Sequence, residues 1–456
     1  MLYLHDLKTG NEWPIYDKLS KDQQEAWAIF GPYTGFNWTP DDQQIVIWAE
    51  GKIRKINVST LAVVDIPFKA TASHLIVNAL KFKNDAAPDS FTSKAIRMAV
   101  TSPDNKTLVF NAAGYLWKKS LPNGKPTRLT SGTNLEYEPA FSKDGKYLVY
   151  VTWNDDSMGA IYRLDMLASK SKPERITSEK AIYREPSFSP KDINTIVFRK
   201  EEGNDHQGYV NTKEAGIYLL TSKSAKNSVA KLVTKEGEYP SFNQDASRIY
   251  YQTGGTLFGS LTKTLVSVNL DGKEARELIK SKYAQRIIPS PDDKWIAFTN
   301  LFKVFIATLP ATGQSLELDG KSSSVPVSQV SRDAGISLHW STDSKSLRWT
   351  LGDEYFYTDI KQRFLFLDNA PDSLPAIDTT GIKINLKLAS DKPKGKLAFT
   401  GARIITMNGD KVIENGTIIV EANKIVAIGD ASSIAVSADA KIMDMKGKTI
   451  MPGFID

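Results

Sequence analysis

PAFSKDGKYLVYV, residues 139–151, reads as two β-strands joined by a tight turn. The stretch before Ser142 is short and apolar, and Asp144 and Gly145 supply turn chemistry. Tyr147-Leu148-Val149-Tyr150-Val151 is then a β-branched and aromatic run with alternating faces. The phrase recurs seven times: GFNWTPDDQQIVIW (35–48), MAVTSPDNKTLVF (98–110), PAFSKDGKYLVYV itself, PSFSPKDINTIVF (186–198), PSFNQDASRIYY (240–251), IIPSPDDKWIAF (287–298) and LHWSTDSKSLRW (338–349). Anchored at Pro40, Pro103, Lys143, Pro190, Gln244, Pro291 and Thr342, the copies lie 40 to 63 residues apart.

Most copies are followed by a third strand and a second polar turn, as in GYLWKKSLPNGKPTRLT (114–130) and AIYRLDMLASKSKPERIT (160–177). Four short strands per unit at this spacing predict a β-propeller of about seven four-stranded blades. One such sheet cannot cover both of its faces, and radial packing covers each with its neighbours. A β-sandwich does not account for seven copies of one hairpin, and a solenoid needs a shorter, stricter period. The insertion at 70–97 lengthens the first interval and has room for a strand and an excursion over one face. Trp38, Trp117, Trp153, Trp295 and Trp340 fall in or beside repeat strands, so blade packing accounts for them.

The phrase F-S-x-D-G-K, with Phe141-Ser142-Lys143-Asp144-Gly145-Lys146 and Phe188-Ser189-Pro190 as its best copies, resembles the propellers of TolB and of tricorn-like proteases over most of residues 30–360. The resemblance marks a fold more than a function. The expected organisation is a propeller over 1–380, with 1–30 a partial blade lacking its first hairpin. A linker or extended strand follows over 381–396, and a second all-β module over 397–456.

That module has strands expected around 397–407, 416–421, 424–428 and 441–444. Its segments GARIIT (401–406), ENGTIIVEANKIVAIG (414–429) and DMKGKTIMPGFID (444–456) resemble, in this order, the N-terminal β-sandwich and first barrel strand of the amidohydrolase superfamily, its imidazolonepropionase and prolidase-like branch most of all. The resemblance implies a small, incomplete sandwich and a chain cut before the His-x-His pair that binds metal. It also implies an intact enzyme in which a divalent metal, zinc by preference, activates water to hydrolyse amide C–N bonds. Small amides or dipeptides are the implied substrates, and a protein partner on the propeller face is the second expectation. The other reading is a propeller that serves as a protein or peptide interaction module.

Composition narrows the classes. Charge is mild, with 58 basic and 52 acidic residues giving +6, and no run of like charge points to nucleic acid. The chain has no cysteine, which rules out disulfides, thiolate metal sites and a cysteine nucleophile within it. No apolar run reaches the roughly 20 residues needed to span a bilayer. A periplasmic or secreted location is expected, with any signal peptide lying outside this stretch.

No catalytic, cofactor-binding or metal-ligating residue is assigned. His5, His74, His206 and His339 have no His or carboxylate at ligand spacing in the same strand. NDDSMG (154–159) lacks the spacing of an EF-hand loop and reads as a hairpin turn. QTGGTLFGS (252–260) is glycine-rich but opens no helix, and no G-x-S-x-G elbow occurs. The polar insertion around His206, 200–216, reads as a surface loop.

Overall fold

The turn in the repeated phrase is built the same way in four of the seven copies. In the computed structural model Ser142 Oγ donates to Asp144 Oδ1 (2.6 Å), Lys146 N donates to the same oxygen (3.0 Å), and Tyr147 N donates to Ser142 Oγ (2.9 Å). Ser102, Ser290 and Ser341 repeat these bonds with Asp104, Asp292 and Asp343. The serine bond holds the Asp144 carboxyl below its ordinary range. The turn demands a left-handed residue after the Asp, which Gly145 (φ 73°) adopts freely and Asn105, Ala246, Asp293 and Ser344 adopt at φ 56–63°. Gly145 also abuts Pro103 of the neighbouring copy, where an added Cβ would lie 3.3 Å from the ring.

The described residues are 1–19, 35–76, 88–204, 209–210, 213–221, 229–256, 259–311, 313–392 and 394–454. Among them the regular secondary structure is strand, apart from the 3₁₀ turn Ile360–Gln362. The chain divides into two units, Met1–Asp85 and Ala86–Asp456.

In the first unit, Leu2–His5 and Glu12–Tyr16 pair as a two-stranded antiparallel sheet. Asn37–Trp38, Gln44–Ala49, Lys52–Asn57 and Val63–Ile66 form a four-stranded meander. Tyr16, Ile47, Ala49 and Ile56 make its core.

The second unit holds six successive four-stranded meanders. Their inner strands are Arg97–Thr101, Leu135–Phe141, Ile182–Phe188, Glu238–Phe242, Ile287–Pro289 and Ile336–Trp340, and these open blades 1 to 6 in that order. Leu316–Glu317, from the connection inside blade 5, adds a parallel fifth strand to blade 4 against Arg276–Lys282.

The second strand of each blade is buried on both faces, so its alternate residues enter different cores. Leu148 and Tyr150 pack towards blade 1, whereas Val149 and Val151 pack towards blade 3. Val197 faces blade 4 while Ile196 and Phe198 face blade 2. Ile296 and Phe298 face blade 4 while Trp295 and Ala297 face blade 6. Burying each such side chain stabilises by about 1.5–3 kcal/mol.

The sixth core joins Ala99, Leu108 and Phe110 of blade 1 to Tyr355 of blade 6, with Ile384 and Leu386 just beyond it. Six blades therefore close this ring, where the sequence predicts about seven over 1–380. The copy at 35–48 forms its sheet in the first unit instead. Repeat counting finds blades but not which of them meet, and closure rests on blade 6 packing against blade 1, some 240 residues apart in the chain. Blade 6 needs no strand from residues 1–16, because Ile382–Lys383 pairs with Glu354–Asp359 as its outer strand. The expected linker over 381–396 thus begins inside the propeller, and its Lys387–Ala389 pairs antiparallel with Ser90–Thr92. Residues 20–30 of the expected partial blade, and 77–87 of the insertion, lie outside the described residues.

The strands Lys396–Ile405, Val412–Glu421, Lys424–Asp430, Ala440–Asp444 and Thr449–Ile450 lie close to the predicted positions. They form one five-stranded sheet, where a sandwich is expected. Ala402, Ile404 and Ile418 are its buried centre.

Candidate functional site

Every inner strand except that of blade 5 carries a bulge near its start. The register shifts at Arg97/Val100, Tyr137/Ala140, Arg184/Ser187, Glu238/Ser241 and Ile336/His339. Each bulge holds a residue at positive φ: Met98 (50°), Glu138 (50°), Glu185 (55°), Tyr239 (55°) and Ser337 (54°). Such a bulge turns one extra side chain out of the ladder. The corresponding residue of blade 5 is Arg286.

These positions line a central cavity of about 670 Å³ walled by all six inner strands. They are also wired to one another. Glu138 N lies 3.4 Å from Met98 Sδ, Glu185 N donates to Glu138 Oε2 (2.5 Å), and Tyr239 N donates to Glu185 Oε2 (2.6 Å). Around half of the ring, then, each bulge side chain receives the backbone N–H of the next bulge. Non-glycine residues in this conformation are strained, and these bonds hold them there.

Ion pairs complete the network. Arg184 reaches Glu138 (2.9 Å) and Glu201 (2.8 Å), and Arg199 forks onto Glu185 through Nε and Nη2, both at 3.1 Å. Lys263 binds Glu238. Burial pushes the Glu138 carboxyl above its ordinary range, although Arg184 pulls it back. Burial draws Arg199 down, but Glu185 and Glu201 outweigh it and the guanidinium is held more firmly charged.

Arg286 stands apart from this pairing. Its guanidinium sits 3.5 Å from the centroid of the Tyr239 ring, and burial lowers its pKa. Tyr239 itself is pushed up by burial, with Arg286 opposing.

At the seam between blades 6 and 1, Thr101 Oγ1 meets His339 Nε2 (2.9 Å) and the Tyr355 hydroxyl (3.0 Å). His339 Nδ1 lies 2.9 Å from Ser337 O, a carbonyl that can only accept, so Nδ1 carries the proton and Nε2 accepts from Thr101. Burial lowers the His339 pKa to about 4, opposed by the Ser337 bond and reinforced by Arg348. His339 is thus a neutral structural group facing the cavity.

The other histidines are scattered. His5 pairs with Glu12 at 2.9 Å in the first unit, His74 is exposed, and His206 lies outside the described residues. Asn154 caps the turn at 154–159 by accepting from Asp156 N and Ser157 N, as a hairpin turn would. Trp295 and Trp340 are buried in blade cores. Among the described residues no group of three or more His, Cys, Asp or Glu could hold a metal ion, and no helix is long and apolar enough to cross a membrane.

The bulge ring escapes the repeat search because the recurring phrase, except in the copy that opens at Met98, starts just after the bulged residue. A faint signal exists in the dipeptides Glu138-Pro139, Glu185-Pro186 and Tyr239-Pro240, where the residue before proline is the bulged one.

No protein-family model matches the chain. It is similar to the Tol-Pal system protein TolB of Francisella tularensis subsp. tularensis, 24% identical over 212 residues, which cover 45% of this chain and 44% of that protein. The chain thus spans about half the length of the curated relatives it matches first. A stretch of 62 residues is 39% identical to 5-methylthioadenosine/S-adenosylhomocysteine deaminase of Bacillus thuringiensis, covering 13% of this chain and 14% of the deaminase. The solved structure of TolB from Acinetobacter baumannii aligns over 74% of this chain and 79% of its own, with a TM-score of 0.39 and 16% identity. What the second unit carries is a TolB-like β-propeller and a five-stranded C-terminal sheet.

Proposed function

We propose that the chain is the non-catalytic front portion of a metal-dependent amidohydrolase acting on C–N bonds, with the propeller governing substrate access or docking a partner. The observation that carries this reading is the pairing of the C-terminal sheet. Lys396–Ile405, which holds most of GARIIT, pairs antiparallel with Val412–Glu421 and parallel with both Ala440–Asp444 and Thr449–Ile450. Val412–Glu421 and Lys424–Asp430, the hairpin of ENGTIIVEANKIVAIG, complete the sheet. Three segments separated in sequence thus converge on one strand, in the order the family resemblance requires. The short similarity to a deaminase supports the same chemistry, since hydrolytic deamination also breaks a C–N bond.

The described residues offer no fitting site for the metal. A periplasmic or secreted location belongs to the same reading, since a cysteine-free chain with a TolB-like propeller suits an oxidising compartment.

Two measurements test this. The purified chain supplied with zinc should hydrolyse dipeptides and lactams no faster than a metal-free control; turnover above that control overturns the non-catalytic assignment. The reading frame should encode His-x-His directly after Asp456, and any other continuation removes the amidohydrolase.

The six-walled cavity favours a second reading, a propeller that binds a protein or peptide in its channel. Cross-linking of a bound peptide to cavity residues 138–141 or 184–188 would support it. Cross-links confined to the first unit would count against it.

A further inference from the structure

The carboxylates of the channel neck are already committed. Glu138 accepts from Arg184 Nε and Glu185 N, Glu185 accepts from the Arg199 fork and Tyr239 N, and Glu238 accepts from Lys263. Arg286 makes no such direct pair, although Glu185, Glu238 and Glu138 are near enough to favour its charge. Its side chain makes no hydrogen bond or ion pair among the described residues, and its Nη1 is sealed from solvent without a partner. The residue nevertheless lines the cavity and keeps part of its surface open.

Its position is held firmly. Gln285 N and Arg286 N both donate to Thr299 Oγ1, at 2.8 and 3.1 Å, and Thr299 N donates back to Arg286 O at 3.0 Å. Tyr239 supplies a ring beneath the guanidinium, and Tyr239 N is itself tied to Glu185. A partly desolvated guanidinium with no acceptor is unfavourable for the free protein. Arg184, Arg199 and Lys263 each bind a carboxylate, and Arg286 does not.

We propose that Arg286 anchors a carboxylate-binding subsite in the propeller channel, taking the free carboxylate of a short peptide or a small organic acid. The planar guanidinium presents Nε–H and Nη–H donors in the fork that a carboxylate matches with two parallel charge-assisted bonds. Tyr239 fixes the plane of that fork, so little order is lost on binding. The neighbouring acidic groups do not repel the ligand strongly, because Arg184, Arg199 and Lys263 neutralise them. A cavity of about 670 Å³ falls in the range of sites that enclose small ligands. The subsite goes beyond the amidohydrolase reading and does not depend on it, since a propeller that filters substrate and one that docks a peptide would each use it.

The test is calorimetric titration of the intact chain with three carboxylates: succinate, N-acetylalanine and N-acetylalanylalanine. The C-terminal amide of the last serves as control. The acid should bind about tenfold to a hundredfold more tightly than its amide, the range of a hydrogen bond to a charged group. Arg286→Gln should abolish that preference, and Arg286→Lys should restore part of it. Tighter binding of N-acetylalanylalanine than of succinate identifies a peptide end as the ligand, and the reverse identifies an organic acid. The proposal is overturned if none of the three acids binds, if acid and amide bind equally, or if Arg286→Gln keeps the preference. Arg286→Gln should also melt no lower than the wild type, unlike Arg199→Gln; a matching loss would make Arg286 a structural residue and remove the subsite.

Discussion

The sheets of the propeller and the C-terminal sheet use the same residue types to opposite effect. In blade 5, Trp295–Asn300 sits between two neighbouring blades, and Phe298 is 0% exposed. In the C-terminal sheet, Lys424–Asp430 and Ala440–Asp444 carry Ile425 and Ile442 at 62% exposure each, beside exposed Val426, Ile428 and Met443. Both sheets are rich in β-branched residues, so strand propensity does not separate them. What separates them is cover. A blade is flanked by two others, while the five-stranded sheet leaves part of its apolar surface facing water.

The largest expected effect contrasts the two regions directly. Phe298→Ala should lower stability by about 3–5 kcal/mol, the cost of emptying a packed aromatic site. Ile442→Ala should change it by no more than about 0.5 kcal/mol, as surface substitutions do. Urea melts of the two variants check this, and equal losses would mean that the C-terminal sheet is covered after all.

Hydrogen exchange sharpens the same contrast at the level of local opening. Amides of Lys424–Asp430 and Ala440–Asp444 should exchange well before those of Tyr147–Trp153 and Trp295–Asn300, because locally packed strands open only with the whole ring. Uniform protection would break the comparison.

Within the propeller, the channel network should behave as a structural unit. Arg199→Gln leaves the buried Glu185 carboxylate without its fork, and the expected loss is about 3 kcal/mol. Restoring stability by adding Glu185→Gln to that variant would show that the uncompensated charge causes the loss. No recovery would point to packing instead.

The seam predicts a pH dependence. His339 has a folded pKa of about 4, against about 6.5 unfolded, so the folded state favours the neutral ring. As pH falls, the unfolded chain takes up the proton first. The stabilisation is therefore complete above about pH 6.5 and is lost as pH drops towards 4. Melts between pH 7 and 4.5 should show this slope, and His339→Gln should flatten it. An unchanged slope in the variant would assign the pH dependence to other groups.

The smallest expected effect is at a turn. Ser142→Ala removes the acceptor for Tyr147 N and the donor to Asp144, for a loss of about 1 kcal/mol. Ser432→Ala removes a comparable bond to Asp430 in the C-terminal sheet, where solvent can replace it, and should cost less.

The blades were readable because their cause is local. Ser142, Asp144 and Gly145 close a turn with bonds that span five residues, so any copy of the phrase folds into the same hairpin. The C-terminal strands were readable for the same reason, their turns being close to the strands they join. The ring was not readable, because Thr101 and His339 are neighbours only once six sheets have packed. Ile382–Lys383 likewise looks like linker until Glu354–Asp359 offers it an edge. The candidate site was least legible of all. Glu138, Glu185, Tyr239 and Arg286 are ordinary polar residues in the sequence, and only the proline after the first three sets any of them apart.

Sequence alone therefore determined the all-β class, the four-stranded unit and the turn chemistry. Those follow from hydrogen bonds and side-chain alternation over a few residues. Tertiary structure alone decided that six blades close, that five bulges face one channel, and that Arg286 enters it without a direct ion pair. Those depend on which faces meet, and that is settled by packing between strands far apart in the chain.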